Sequence, residues 1–284
     1  MIFVVFCRVT DHIDINLIKK DYCPFLKNIL NGLRRLCFYE RWMMLMNRVQ
    51  KAYDQLSYDY EHRVDKHALY NIDYERPAMM NLLPQDLKGK TILDAGCAAG
   101  WYTEQFIKRG ARVTATDLSP EMVAATKRRV RNQAEVLCLD LADKLPLKDN
   151  TFDFIVSSLV LHYVKDWGPT FQEFKRILKP DGILLFSVHH PFMDINMSQN
   201  QDYFSTEFII DHWKRQGKFI EVTFYRRPLQ LILNETLAHF SLEKLIEPQP
   251  TKEFEKKNPE TYEKLMKNPH FMIIKARVSG TGLE

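Results

Sequence analysis

Apolar and polar positions follow two periods along this chain, and the points where the period changes divide it. From Val49 to Leu83 apolar residues recur at helical spacing, interleaved with Tyr53, Tyr58, Tyr60, Tyr70 and Tyr74, until Pro84 ends the run. Short apolar runs then alternate with amphipathic ones. Strands are expected at residues 91–95, 112–116, 135–139, 152–157 and 182–188. Helices are expected at 101–109, closed by Gly110, then from the Ser119-Pro120 cap onward, and at 169–178. Strand–helix alternation of this kind predicts a doubly wound α/β fold, with a mostly parallel, seven-stranded sheet covered by helices on both faces.

Past residue 188 the rhythm breaks. His189-His190-Pro191 and a polar stretch lead into strand-like runs at 203–210 and 219–225, joined by a turn at Gly217. The expectation is a β-hairpin cap, residues 189–226, inserted over the C-terminal edge of the sheet. A helix near 229–240, a strand near 242–247, a polar helical insert and a strand at 271–278 complete the pattern. The predicted organisation is therefore an N-terminal extension (1–45), a helical lid (46–85) and the α/β domain (86–284). The extension is irregular and holds three of the five cysteines, and Met43, Met44 and Met46 sit at its end. It is expected to be dispensable to the core, with synthesis starting at Met46. The alternative is a basic amphipathic helix over 28–42. The final Leu283-Glu284 pair is read as a cloning scar.

Composition narrows the class. The 284 residues carry 40 basic and 36 acidic side chains, a net charge of +4. That is too mild to argue for nucleic acid, and the basic stretch from Lys127 to Arg131 reads as the solvated, positive C-terminal end of a helix. Five cysteines without CxxC spacing argue against a disulfide framework or zinc site and fit a reducing, cytoplasmic compartment. No apolar run approaches the roughly 20 residues that span a bilayer. Residues 1–7 lack the flanks of a secretory leader.

The strongest chemical signal is Ile92-Leu93-Asp94-Ala95-Gly96-Cys97-Ala98-Ala99-Gly100, an apolar strand running into a small-residue turn that opens a helix. Small residues at 96, 98 and 100 let a ligand lie against bare backbone. A dinucleotide fingerprint would need a small residue where Trp101 stands, and a P-loop would need Gly-Lys-Ser/Thr. Four further features follow in order. They are Asp117 ending the second strand, Asp140-Leu141 after the third, Phe152–Val156 with Ser157-Ser158 and Leu161-His162-Tyr163, and Leu178-Lys179-Pro180-Asp181-Gly182 before the fifth strand. Each acid alone reads equally well as a strand-end carboxylate.

Together these motifs resemble the class I S-adenosylmethionine-dependent methyltransferases, over about residues 50–190. The general plan is similar to that of the ubiquinone/menaquinone-type enzymes. Ala98 departs from the family's central glycine and Asp181 from its L-x-P-G-G turn; an α-region turn at 98 would accept alanine. The resemblance implies S-adenosylmethionine as cofactor, held by Asp94, Gly96, Ala98, Gly100, Asp117, Leu118, Met122, Asp140, Leu141 and Ser157. Asp117 would accept the ribose hydroxyls, with Leu118 and Met122 lining the adenine. It also implies lid contacts from Tyr53, Tyr60 and Arg76, against a plain reading of these tyrosines as packing. The acceptor is expected to be a small molecule. An amino-methylating nucleic-acid enzyme would carry N/D-P-P-Y/F where Ser157-Ser158-Leu159-Val160 stands. The alternatives are a non-catalytic S-adenosylmethionine-binding regulator and an NAD-dependent oxidoreductase, which Trp101 opposes.

If the acceptor starts protonated, a base is needed. His189 and His190 leave the fifth strand at the cleft and alternate on an extended chain, so one faces the cleft and the other away. His190 is favoured, because Pro191 should hold it extended. His162 is a third candidate, whereas Tyr163 reads as core. No metal site is expected, since no ligand-spaced carboxylate accompanies these histidines.

Overall fold

The computed structural model describes residues 48–278, so the expectations for residues 1–45, the Met46 start and the terminal Leu283-Glu284 lie outside the described residues. Seven strands form one sheet in the order β3-β2-β1-β4-β5-β9-β8. They are β1 (Thr91–Ala95), β2 (Arg112–Asp117), β3 (Glu135–Cys138), β4 (Phe152–Ser158), β5 (Leu178–His189), β8 (Ser241–Ile246) and β9 (Phe271–Arg277). β1 to β5 run parallel, and β9 pairs antiparallel with both β5 and β8. The chain winds outward from β1 to β3 and then restarts at β4 on β1's other side. That reversal opens a crevice at the carboxyl ends of β1 and β4, where open α/β sheets bind ligands.

The inner strands read as unbroken apolar runs because both faces are covered. Leu93, Ile155, Leu184 and Phe186 pack on one side with Phe171 and Phe174 of the helix Trp167–Ile177. Ile92, Phe154, Val156, Ile183 and Leu185 pack on the other with Phe106 of the helix Trp101–Lys108 and Met79. The helix Pro120–Val130 is capped by Ser119, whose hydroxyl accepts from the Met122 N–H, with proline at its first position.

The N-terminal stretch is broken rather than one helix. Residues 49–62 are helical, Val64–His67 is a single turn, and a π-helical turn Asn71–Glu75 leads into Arg76–Met80. Pro77 explains the last irregularity. It has no N–H to give the Asp73 carbonyl, which accepts from the Thr251 N–H at 2.8 Å instead.

The expected hairpin is present as a separate two-stranded sheet, β6 (Glu207–Arg215) with β7 (Lys218–Arg226). Gln216 and Gly217, at φ 49° and 77°, make its two-residue turn, the geometry that suits the twist of paired strands. Its first strand begins later than the apolar pattern suggests. The carbonyls of Asp202, Tyr203 and Ser205 accept from the Arg226 guanidinium at 2.6–3.0 Å, so they are not free to pair as a strand. Pro259–Leu265 and Lys252–Lys257 are the helices of the late insert.

Candidate active site at the strand ends

The turn after β1 is fastened to the end of β2. The N–H groups of Gly96 and Cys97 both donate to the Thr116 carbonyl at 2.8 Å. Asp117 accepts from the Ala98 N–H and the Ser119 N–H, one on each carboxylate oxygen, both at 2.9 Å. Burial pushes the Asp117 carboxyl up to about 6, its two backbone hydrogen bonds opposing and the Asp54 carboxylate adding to the rise. Asp94 lies beneath the turn, 2% exposed, and accepts from the Thr103 hydroxyl at 2.5 Å. Burial pushes it up to about 7, against that hydrogen bond.

The glycines serve packing as much as ligand clearance. A Cβ on Gly96 would come within 2.3 Å of the Val160 side chain, and one on Gly100 within 2.8 Å of Thr126. Both sit at positive φ, 88° and 79°. Ala98 departs from expectation: its φ is 47°, in the left-handed region and not the α region. The backbone N–H of Ala98 is held there by Asp117 and its carbonyl by the Thr126 hydroxyl at 2.6 Å.

Met122 is fully buried beside Ala98 and Ala99, and Leu118 is half-buried at the end of β2. Asp140, half-buried, accepts from the Ala142 N–H at 2.9 Å, and Leu141 is buried in the larger core. Ser157 is fully buried, and its hydroxyl donates to the Ala95 carbonyl at 3.0 Å, so its side chain ties β4 to β1.

The helix over 49–62 covers this turn. Ala52 and Leu56 share one apolar cluster with Ala99, Met122 and Ala125 and with Ile220 and Val222 of β7. Lid, turn and hairpin are therefore a single packed unit, which the sequence pattern did not show. Asp54 accepts from the Ser119 hydroxyl at 2.5 Å, and Asp59 from the Gln216 side chain at 2.7 Å. The Tyr53 hydroxyl donates to that of Tyr163 at 2.7 Å, and the Tyr60 ring lies 5.9 Å from Tyr53. Burial raises all three phenols above their usual range, so they are neutral. Arg76 pairs with Asp65 at 2.8 Å and lies 4.3 Å over the Trp101 ring.

Besides Asp54 and Asp59, two further acids at the strand ends escaped the sequence reading. Glu75, fully buried, accepts hydrogen bonds from Tyr102 (2.9 Å), Ser158 (2.8 Å) and Ser187 (2.6 Å), joining the lid segment to the ends of β4 and β5. Burial raises its carboxyl and these three hydroxyls oppose the rise. The second is Asp194, whose Oδ1 lies 3.3 Å from Nδ1 of His189. Neither stands in a motif, and only the fold brings them to the strand ends.

The paired histidines separate as alternation requires, and the ring of His190 is the one turned into the protein. His190 is 1% exposed; its Nδ1 accepts from the Phe192 N–H at 3.2 Å and its Nε2 lies 2.9 Å from a Glu247 carboxylate oxygen. With both nitrogens engaged, His190 caps the short helix Pro191–Asp194 and is not free to act as a base. Burial holds its ring below the usual imidazole range, with Glu247 opposing. His189 instead stacks on His162, centroids 4.1 Å apart and planes 19° apart, with Phe224 edge-on at 4.9 Å. His162 is 3% exposed, and burial, His189 and Arg227 keep it well below the usual imidazole range.

The fold and this turn define a Rossmann-like α/β domain with a ligand cradle at its strand ends. Residues 93–186 match a family model described as Methyltransferase domain. A solved S-adenosylmethionine-dependent methyltransferase from Mesorhizobium loti superposes with a TM-score of 0.58 at 28% identity, over 72% of this chain and 97% of that one. An uncharacterised protein of Haemophilus influenzae is 28% identical over 72% of this chain and 86% of its own length. The malonyl-[acyl-carrier protein] O-methyltransferase of Serratia marcescens is 37% identical, but over 35% of this chain and 38% of that enzyme. The chain thus matches well under two thirds of that named relative. The chain carries a methyltransferase domain with the fold of the class I, S-adenosylmethionine-dependent enzymes. Among the described residues no helix is long and apolar enough to cross a membrane, and no group of His, Cys, Asp and Glu is arranged to hold a metal ion.

Proposed function

We propose that the methyl acceptor is a small molecule, bound over the ends of β4 and β5 beneath the lid helix and the hairpin. In this reading Asp117 accepts the ribose hydroxyls, exchanging its backbone partners in part for the ligand. Leu118, Met122 and Leu141 border the adenine, and Asp140 faces its amino group. The turn at Gly96 and Ala98 presents backbone, with Tyr53, Tyr60 and Arg76 closing from the lid. Asp94 and Ser157, with buried and partnered side chains, hold the turn and strands that make those contacts. The observation that carries the reading is Asp117: a half-buried carboxylate fastened to the glycine turn at the switch point between β1 and β4.

The bound cofactor supplies an electrophilic methyl group. This chain's part is to align the acceptor with it and exclude water, which accounts for most of what such a displacement needs. The neutral phenols of Tyr53 and Tyr163 and the apolar lid packing suit that exclusion. The mild net charge of +4 supports a small acceptor over nucleic acid, and the unpaired cysteine pattern supports a cytoplasmic setting. Incubation with S-adenosylmethionine and a fractionated metabolite extract tests the proposal. S-adenosylhomocysteine release from a low-mass fraction is expected. Release only from nucleic acid or protein fractions contradicts the reading, and cofactor binding without release from any fraction favours a regulatory role.

A further inference from the structure

Buried polar atoms nearly always find a partner, so those that do not mark places where something is missing. Among the described residues eight buried side-chain nitrogen and oxygen atoms have no hydrogen bond, and four of them belong to one cluster: both ring nitrogens of His162, Nδ1 of His189 and Oδ1 of Asp194. His162 and Asp194 are each 3% exposed. The 3.3 Å separation of His189 Nδ1 from Asp194 Oδ1 is within ion-pair reach but too poorly aligned to count as a hydrogen bond. Catalytic pairs are often long in this way until the substrate is bound.

The walls around these atoms are rings. Besides the His162–His189 stack, Tyr163 lies 4.3 Å from His162, Phe224 stands edge-on to both histidines, and Phe271 lies 6.3 Å from His189 at 30°. Such walls favour a planar aromatic guest. Among the described residues the cations at the hairpin base are already engaged, Arg226 Nε lying 3.7 Å from a Glu207 carboxylate oxygen. Arg227 donates to the carbonyls of Val164, Lys165 and Tyr225, and Arg226 to those of Asp202, Tyr203 and Ser205. A carboxylate guest would therefore lack a counter-charge, whereas a neutral O–H or N–H would meet imidazole nitrogens able to accept it.

Resting on the methyltransferase reading above, we infer that the acceptor is a planar aromatic molecule bearing a weakly acidic O–H or N–H, that His189 takes its proton, and that Asp194 is the positioning residue for His189. Once the pair tightens around a bound acceptor, Asp194 accepts from Nδ1–H, which fixes the tautomer that leaves Nε2 as the base and steadies the imidazolium once formed. The acceptor heteroatom gives its proton to His189 Nε2 and its electron pair forms the new bond to the methyl carbon. The carbon–sulfur bond of the donor breaks, its pair staying on sulfur. Asp194, His162 and His270 are the titratable groups around His189, and Tyr163 and Arg227 lie beyond it, on His162. His162 and His270 are held below the usual imidazole range, His270 at about 4, chiefly by burial. Both of these rings are therefore neutral near pH 7.

The test is optical and needs no turnover. Wild-type protein is first titrated calorimetrically with S-adenosylhomocysteine, whose sulfur carries no charge to attract an anion. Failure at that step counts against the methyltransferase reading itself. 4-Nitrophenol is then added at a pH where the free compound is mostly protonated. The bound compound should show the phenolate band, its ionisation favoured about tenfold or more over solution, the size of shift a neighbouring partner charge produces. His189→Gln should abolish the shift. Asp194→Asn should keep binding within about threefold yet lose most of the shift, and Asp194→Glu should restore part of it. The wild-type spectrum stands as a test even where a variant fails to fold. No binding of 4-nitrophenol to the loaded protein, binding without ionisation, or a shift that persists in His189→Gln overturns the inference.

Discussion

The two halves of the crevice are finished to different degrees. At the ends of β1 and β2, Gly96, Cys97, Ala98 and Ser119 hold their N–H groups on Thr116 and Asp117, and Thr126 holds the Ala98 carbonyl. At the ends of β4 and β5, His162, His189 and Asp194 keep four buried polar atoms without a hydrogen bond. The contrast separates two tasks. A cofactor common to a whole fold can be met by a preset backbone cradle. An acceptor particular to one enzyme must complete a network that side chains leave open.

Breaking the joint between the halves should have the largest effect. Glu75, on the lid segment, receives three hydroxyl hydrogen bonds, from Tyr102 of the helix after the glycine turn and from both strand ends. Glu75→Ala should cost about 3–5 kcal/mol, as for other deletions that strand buried polar partners, read as a lower urea midpoint. On the cofactor side, Asp117→Ala removes two hydrogen bonds to a charged acceptor. Affinity for S-adenosylmethionine should fall roughly 10- to 1000-fold by equilibrium dialysis while far-UV circular dichroism stays unchanged.

Acid sharpens the same point. Burial raises the free Asp117 carboxyl to about 6, and ribose hydroxyls donating to it favour the ionised form, so binding lowers that value again. Affinity is thus full above about pH 6 and falls as pH drops through it, by up to roughly tenfold per unit. An affinity flat from pH 7 to 5 would remove Asp117 from the binding site. For stability the sign is opposite: a carboxyl raised by folding favours the fold at low pH, and that contribution is lost as pH rises through about 6.

Smaller effects probe the cradle and the lid. Ala98 sits at φ 47°, a conformation that costs a non-glycine residue about 1–2 kcal/mol, partly offset by glycine's extra entropy in the unfolded chain. Ala98→Gly should therefore raise stability by about 0.5–1 kcal/mol, seen as a small increase in Tm. Arg128 makes a bidentate pair with Glu61 of the lid at 2.8 and 2.7 Å, but Arg128 is 58% exposed. Arg128→Ala should cost less than about 1 kcal/mol, and less still in high salt.

Much of the frame was legible because its signals are local. The buried strands of the parallel sheet announce themselves as apolar runs, and the turn from Asp94 to Gly100 as an unusual cluster of small residues. Gly217 marked the hairpin for the same reason, since a two-residue turn needs positive φ. What stayed hidden depends on contacts between distant segments. Glu75 meets Ser187 across 112 residues, and its own neighbourhood in sequence reads only as a helix. The preference for His190 rested on Pro191 keeping the chain extended, which it does, with ψ at 134°. Alternation alone could not say which of the two rings would be engaged, and Glu247, 57 residues on, captures that of His190. Asp194 becomes visible only once the turn after Pro191 folds back toward His189.

The cradle between β1 and β4 should take S-adenosylmethionine and no dinucleotide, which calorimetric titration of the intact protein can decide. One S-adenosylmethionine should bind saturably per chain, competed by S-adenosylhomocysteine, with no heat from NADH. Saturable NADH binding with no response to S-adenosylmethionine would contradict this assignment.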